Sequence, residues 1–134
     1  MASSDKTGVA PENNESHEHT HDAMQEAIEE CLNCHAVCTM TLQHCLASGG
    51  GEHTEVNLVG IVLDCAEICQ TSANFMLRGS PYHVITCAAC AELCRACEEA
   101  CRTMADDEQL AHCADVCASC AECCDRMAQM GSEE

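Results

Sequence analysis

Cys87-Ala-Ala-Cys90-Ala-Glu-Leu-Cys94-Arg-Ala-Cys97-Glu-Glu-Ala-Cys101 decides how this chain is read. Its five cysteines fall three, four, three and four residues apart. That alternation is the heptad interval, with a cysteine at each position where a bundle helix normally buries leucine or isoleucine. The residues between them are Ala, Glu, Leu and Arg, strong helix formers, with no Gly or Pro to turn the chain. The stretch therefore predicts a helix carrying a continuous stripe of sulfur along its inner edge.

Working outward, the flanking segments supply partners for that stripe. A first helix is predicted from near Asp22 to about Ala47, stopped by Gly49-Gly50-Gly51. Met24, Ala27, Cys31, Cys34, Cys38 and Cys45 share one of its faces, with Thr41 in the slot between the last two cysteines. A second helix should start with Thr54 as N-cap and end at Arg78-Gly79-Ser80-Pro81. Only Cys65 and Cys69 lie on its inner line, and Val56, Leu58, Val59, Ile61, Val62 and Leu63 make it apolar nearly all round. A helix with two apolar faces needs a second burial partner, so self-association through it is expected.

The quoted stretch belongs to a third helix, predicted from Pro81 to about Ala105, with His83 and Met104 extending its seam. A fourth follows Asp106-Asp107 and reaches about Met130. Cys113, Cys117, Cys120, Cys124 and Met127 form its stripe, with Cys123 and His112 on the neighbouring line. Four amphipathic helices with short connections predict an all-α, up-down-up-down four-helix bundle with a Cys-lined core, occupying residues 22–134. Residues 1–21, polar and acidic, read as a mobile tail. Its His17, His19 and His21 offer a loose divalent-metal site, though composition favours a plain exposed tail.

At 134 residues the chain is one domain. It has one Phe, one Tyr and no Trp, so aliphatic side chains and 16 cysteines must fill its core. So many cysteines mean a disulfide scaffold or a metal protein. Met1 to Asp22 shows neither a basic region nor an apolar segment of secretory type, so a cytoplasmic location is expected. There thiols stay reduced and a dense cysteine pattern points to metal. No apolar run long enough to cross a bilayer is expected. A net charge of −18 argues against nucleic acid or an anionic membrane as partner.

Cysteines three and four apart on a helix have Cβ atoms about 5–6 Å apart, near enough for two sulfurs to bind one metal. A thiolate can also bridge two metals, so a continuous ladder can hold a chain of ions. Soft thiolates select Cu(I), Zn(II) and iron–sulfur clusters. Zinc prefers closed tetrahedral sites built from CxxC pairs in turns, whereas every CxxC here lies in helix-forming sequence. Iron–sulfur ligation wants looped spacings that this chain lacks. Cu(I), content with two or three sulfurs, suits pairs along and across a bundle. A zinc or mixed-metal sink of metallothionein type and an iron–sulfur protein remain the alternatives, beside a disulfide-linked structural protein.

Cys31xxCys34xxxCys38, Cys87xxCys90xxxCys94xxCys97xxxCys101 and Cys113xxxCys117xxCys120xxCys123 together make the chain, over about residues 22–130, resemble the copper storage proteins. The resemblance is to their cytosolic branch. It implies many Cu(I) ions held by thiolates inside each bundle, assembly as a homotetramer, a role in copper homeostasis and no catalysis.

The topology also gives the tube a direction. The end of helix one, the start of helix two, the end of helix three and the start of helix four should meet at one rim, gathering Met40, His44, His53, Met104 and His112. Imidazole and thioether are exchangeable copper ligands, so this rim is the expected portal. Met24, Phe75, Met76, Tyr82, His83, Met127 and Met130 should plug the opposite rim.

Overall fold

The computed structural model describes residues 11–133, with side chains over 21–130. Four helices follow one another: α1 (Pro11–Ala47), α2 (Val56–Leu77), α3 (His83–Arg102) and α4 (Glu108–Glu133), with a short 3-10 turn at Gly51–Thr54 before α2. Each packs against two others around a closed ring, α1 on α2 and α4, α3 on α2 and α4, and the diagonal pairs stay apart. This is the expected up-down-up-down bundle.

The boundaries differ from the sequence reading at three places. α1 begins at Pro11, eleven residues before Asp22, so 11–21 are helical where a tail was expected. Proline is favoured in a first helical turn, and no Gly or Pro interrupts 12–47. Residues 1–10 of that predicted tail lie outside the described residues. Thr54 does not cap α2. Its hydroxyl donates instead to Gly51 O (3.1 Å) within the 3-10 turn, and extended Glu55 takes the N-cap position. α3 starts at His83, because Pro81 and Tyr82 are spent in a turn closed by His83 N–H to Ser80 O at 3.2 Å.

α2 ends in a Schellman motif. Ser80 N–H reaches Phe75 O and Gly79 N–H reaches Met76 O, both at 3.0 Å. Gly79 sits at φ 69°, a left-handed conformation that a side chain would strain.

The core is narrow and rich in sulfur. All 16 cysteines are buried and free, flanked by small Ala27, Ala66, Ala73, Ala91, Ala114 and Ala121. Leu110, Met127 and Val62 are the largest fully buried apolar side chains. Thr41 and Ser72 are the buried polar ones. No buried side-chain nitrogen or oxygen among the described residues lacks a hydrogen bond. Thr41 Oγ1 donates to Val37 O at 2.7 Å and accepts from Gln109 Nε2 at 2.9 Å. Part-buried His35 ties α1 to α2 by donating Nδ1–H to Ala66 O at 2.8 Å. Outside, Arg95 pairs with Asp125, and Arg126 reaches Glu26 at 3.3 Å. Such exposed pairs contribute little each.

By length and composition α2 passes as a membrane-spanning segment, contrary to the sequence expectation. Here it is a wall of the core. Leu58, Val62, Cys65, Cys69, Ala73 and Met76 face inward, while Val56, Leu63 and Leu77 remain on the surface at 82%, 44% and 60% exposure.

Candidate metal centre

The heptad register of each helix delivers its sulfurs to the bundle axis, and the antiparallel order sets their heights. Cys45, Cys101 and Cys113 lie toward one rim, and Cys31, Cys87 and Cys124 toward the other. Between them the sulfurs form quartets whose Sγ atoms lie within 4.8 Å of one another. Five of these read in order along the axis. They are Cys38/Cys97/Cys113/Cys117, Cys34/Cys38/Cys65/Cys117, Cys34/Cys65/Cys69/Cys94, Cys69/Cys90/Cys94/Cys120 and Cys31/Cys90/Cys120/Cys124. Each successive quartet keeps two thiols of the one before it. The result is a ladder of edge-sharing sites running the length of the tube.

The spacings within it suit a shared metal. Two sulfurs each ~2.3 Å from one ion, at an angle between tetrahedral and trigonal, lie roughly 3.8–4.0 Å apart. Observed pairs run from Cys31–Cys124 at 3.4 Å, through Cys65–Cys94 and Cys69–Cys90 at 3.6 Å, to Cys34–Cys117 and Cys38–Cys117 at 3.9 Å. A linear two-sulfur site would need about 4.6 Å on the same bond length. Three- or four-coordinate, bridged binding therefore requires almost no movement.

Protonation follows from crowding. Neighbouring S–H groups, led by Cys117, pull the Cys34 and Cys65 thiols down; Cys120 leads at Cys90. The same contacts push Cys117 up, with Cys113 leading, and Cys120 up, with Cys124 leading. Burial raises Cys45, with the Asp107 charge adding to it. Burial also pushes Cys123 up to about 11. Cys123 sits beside the ladder, its sulfur 3.3 Å from Arg126 Nη2, as its place on the neighbouring helical line implies.

At the rim expected as the portal, His44 Nε2 and His53 Nε2 both lie 2.8 Å from Asp107 Oδ2. The two rings meet edge-on with centroids 5.7 Å apart. The other oxygen, Asp107 Oδ1, accepts Leu110 N–H at 3.1 Å and caps α4. One carboxylate thus ties α1, the 3-10 turn and α4 together, and its two histidine hydrogen bonds hold it well below the usual carboxylate range. A cleft lined by Glu52, His53, Thr103, Met104, Asp106 and Asp107 opens here.

Met40, at 56% exposure, and His112 lie on the surface, each one residue from a buried seam position, as exposed His44 is beside Cys45. Of the residues expected at this rim, His44 and His53 meet on Asp107, which the sequence reading did not single out. Asp107 was readable in the sequence only as a residue before a helix. At the opposite rim Met76 and Met127 are buried at 2% and 1% exposure. Tyr82 does not plug it, at 64% exposed, and half-buried Phe75 lies under the Arg78 guanidinium.

Residues 20–129 match the sequence profile of the copper storage protein family. The chain is 32% identical over 70 residues to an uncharacterized cysteine-rich protein, YhjQ, of Bacillus subtilis, an alignment over 52% of this chain and 64% of that protein's length. Among solved structures, Cu(I)-bound copper storage protein BsCsp3 superposes with a TM-score of 0.73 at 31% identity, over 79% of this chain and 98% of that one. A cytosolic copper storage protein from Streptomyces lividans, carrying five coppers, gives 0.76 at 29% identity, over 84% and 97%. With its bundle, its sulfur ladder and this match, the chain belongs to the copper storage protein family.

Proposed function

We propose that this chain stores and buffers Cu(I) in the cytoplasm, without catalysis, holding many ions inside the bundle as thiolates. The observation that carries the reading is the edge-sharing of the quartets, because successive ions can then be bridged by common sulfurs. The load expected is on the order of one Cu(I) per cysteine.

Charge disfavours isolated zinc sites. Three quartets that share no thiol can be drawn, Cys38/Cys97/Cys113/Cys117, Cys34/Cys65/Cys69/Cys94 and Cys31/Cys90/Cys120/Cys124. Zinc in each would leave two negative charges per site, in a core whose only buried polar side chains among the described residues are Thr41 and Ser72. One Cu(I) per thiolate leaves the core neutral. A bridged zinc cluster is neutral as well and is the second reading.

His44, His53, Asp107 and Met104 are the proposed portal ligands, with acidic Glu52 and Asp106 beside them to draw in cations. Homo-oligomer formation is supported by the outer face of α2, where Val56, Leu63 and Leu77 recur at seven and fourteen residues; a tetramer is what the family resemblance implies. Sedimentation of a monomer at micromolar concentration would remove that assignment.

The storage reading is tested by anaerobic titration of the reduced chain with Cu(I) against a strong chelator, with Zn(II) in parallel. Well over four tightly held Cu(I) per chain, with thiolate-to-copper charge-transfer bands, is expected. A limit of one or two ions would sink it.

A further inference from the structure

The closed end of the bundle holds a sulfur pair formed by one thiol and one thioether. Met76 on α2 and Cys87 on α3 are both buried, at 2% and 0% exposure, and the Cys87 thiol donates to Met76 Sδ at 3.7 Å. A thioether lone pair therefore already points at the proton that a metal would replace. Ser72, one turn before Met76, occupies the seam position where α2 would continue its cysteine line, and its hydroxyl lies 3.4 Å from the same thiol. An alcohol oxygen is a hard donor and a poor match for Cu(I), whereas sulfur is a soft one. Cys90, one turn along α3 from Cys87, belongs to the last quartet at this end.

We infer that Met76 and Cys87 form a terminal thiolate–thioether Cu(I) site that closes the ladder at the end opposite the portal. The inference rests on the reading of the chain as a Cu(I) store. On binding, the Cys87 S–H bond breaks, its proton leaves to water, and an S–Cu bond forms. Met76 gives a lone pair and loses no proton, and the copper stays Cu(I). The 3.7 Å separation is close to the roughly 3.8–4.0 Å expected for two sulfurs on one three- or four-coordinate ion. Simple core filling would ask only for an apolar side chain, so leucine at position 76 would serve equally well in the empty bundle.

The full chain, produced with selenomethionine and loaded anaerobically with Cu(I), is examined by X-ray absorption at the selenium edge. Its seven methionines make the wild-type minus Met76→Leu difference the informative quantity. A copper shell around selenium is expected in wild type, smaller by one selenium per chain in M76L, with about one fewer Cu(I) bound and unchanged helicity. A many-copper load with no selenium–copper shell leaves storage standing and overturns this site. A shell that M76L does not diminish places copper on another methionine and also overturns it. A chain that takes up no Cu(I) overturns both readings.

Discussion

Cys117 lies 3.9 Å from Cys34, Cys38 and Cys65 alike. A thiol in that position bridges more than one ion, so Cys117→Ser should lower the Cu(I) load by two or more. Cys123→Ser, which removes a sulfur beside Arg126, should cost at most one; a competition titration of the two variants decides this. Protonation gives a second residue-level expectation. Burial holds the Cys45 and Cys123 thiols up, so at neutral pH each must lose a proton to bind metal. Loading in unbuffered solution should release about one proton per thiolate formed. Because that proton must leave, apparent Cu(I) affinity should rise with pH. A load with no proton release would contradict the thiolate assignment.

Among the helices, α4 depends on Asp107 twice, as N-cap and as the acceptor for two histidines. Its carboxyl is held below the ordinary carboxylate value, so the folded state binds that proton less readily than the unfolded one. The resulting stability is present above about pH 4, the usual aspartate value, and is lost as pH falls further. Asp107→Asn keeps a good N-cap but removes the charge. Urea unfolding of the metal-free protein from pH 3 to 6 should show a wild-type advantage that narrows toward the acid end. A constant difference would mean that the two histidine bonds carry no charge-dependent stability. Leu110, fully buried in the first turn of α4, makes a plain packing test. Leu110→Ala should cost about 2–5 kcal/mol of metal-free stability by the same measurement.

For the molecule as a whole, a core of cysteine and alanine gives the empty bundle little apolar volume to bury. Metal bound only to the folded state adds stability by mass action. A single site filled a thousandfold above its dissociation constant adds about 4 kcal/mol, which is roughly 10 °C in Tm for a chain of this size. The copper-loaded protein should therefore melt at least ~10 °C above the metal-free form, as scanning calorimetry under argon would show. Equal melting points would mean that the ladder is not the binding site.

The cysteine spacing carried most of the fold, because a three-four repeat has one helical face and sulfur on four such faces has one sensible arrangement, a tube. The order of the quartets also follows from antiparallel topology. Local detail was less legible. Thr54 looked like a cap until its hydroxyl turned inward to the 3-10 turn, and Pro11 started α1 in a segment too polar to show a buried face. Met40, His44 and His112 each stand one residue off the seam, so register alone does not say which of them meets a partner. What only the tertiary structure decided is which donors from different helices meet. Asp107 under His44 and His53, and Met76 beside Cys87, come from segments far apart in sequence or on opposite sides of a turn. Their contacts depend on the heights at which the helices pack, and heptad spacing within each helix leaves that offset open.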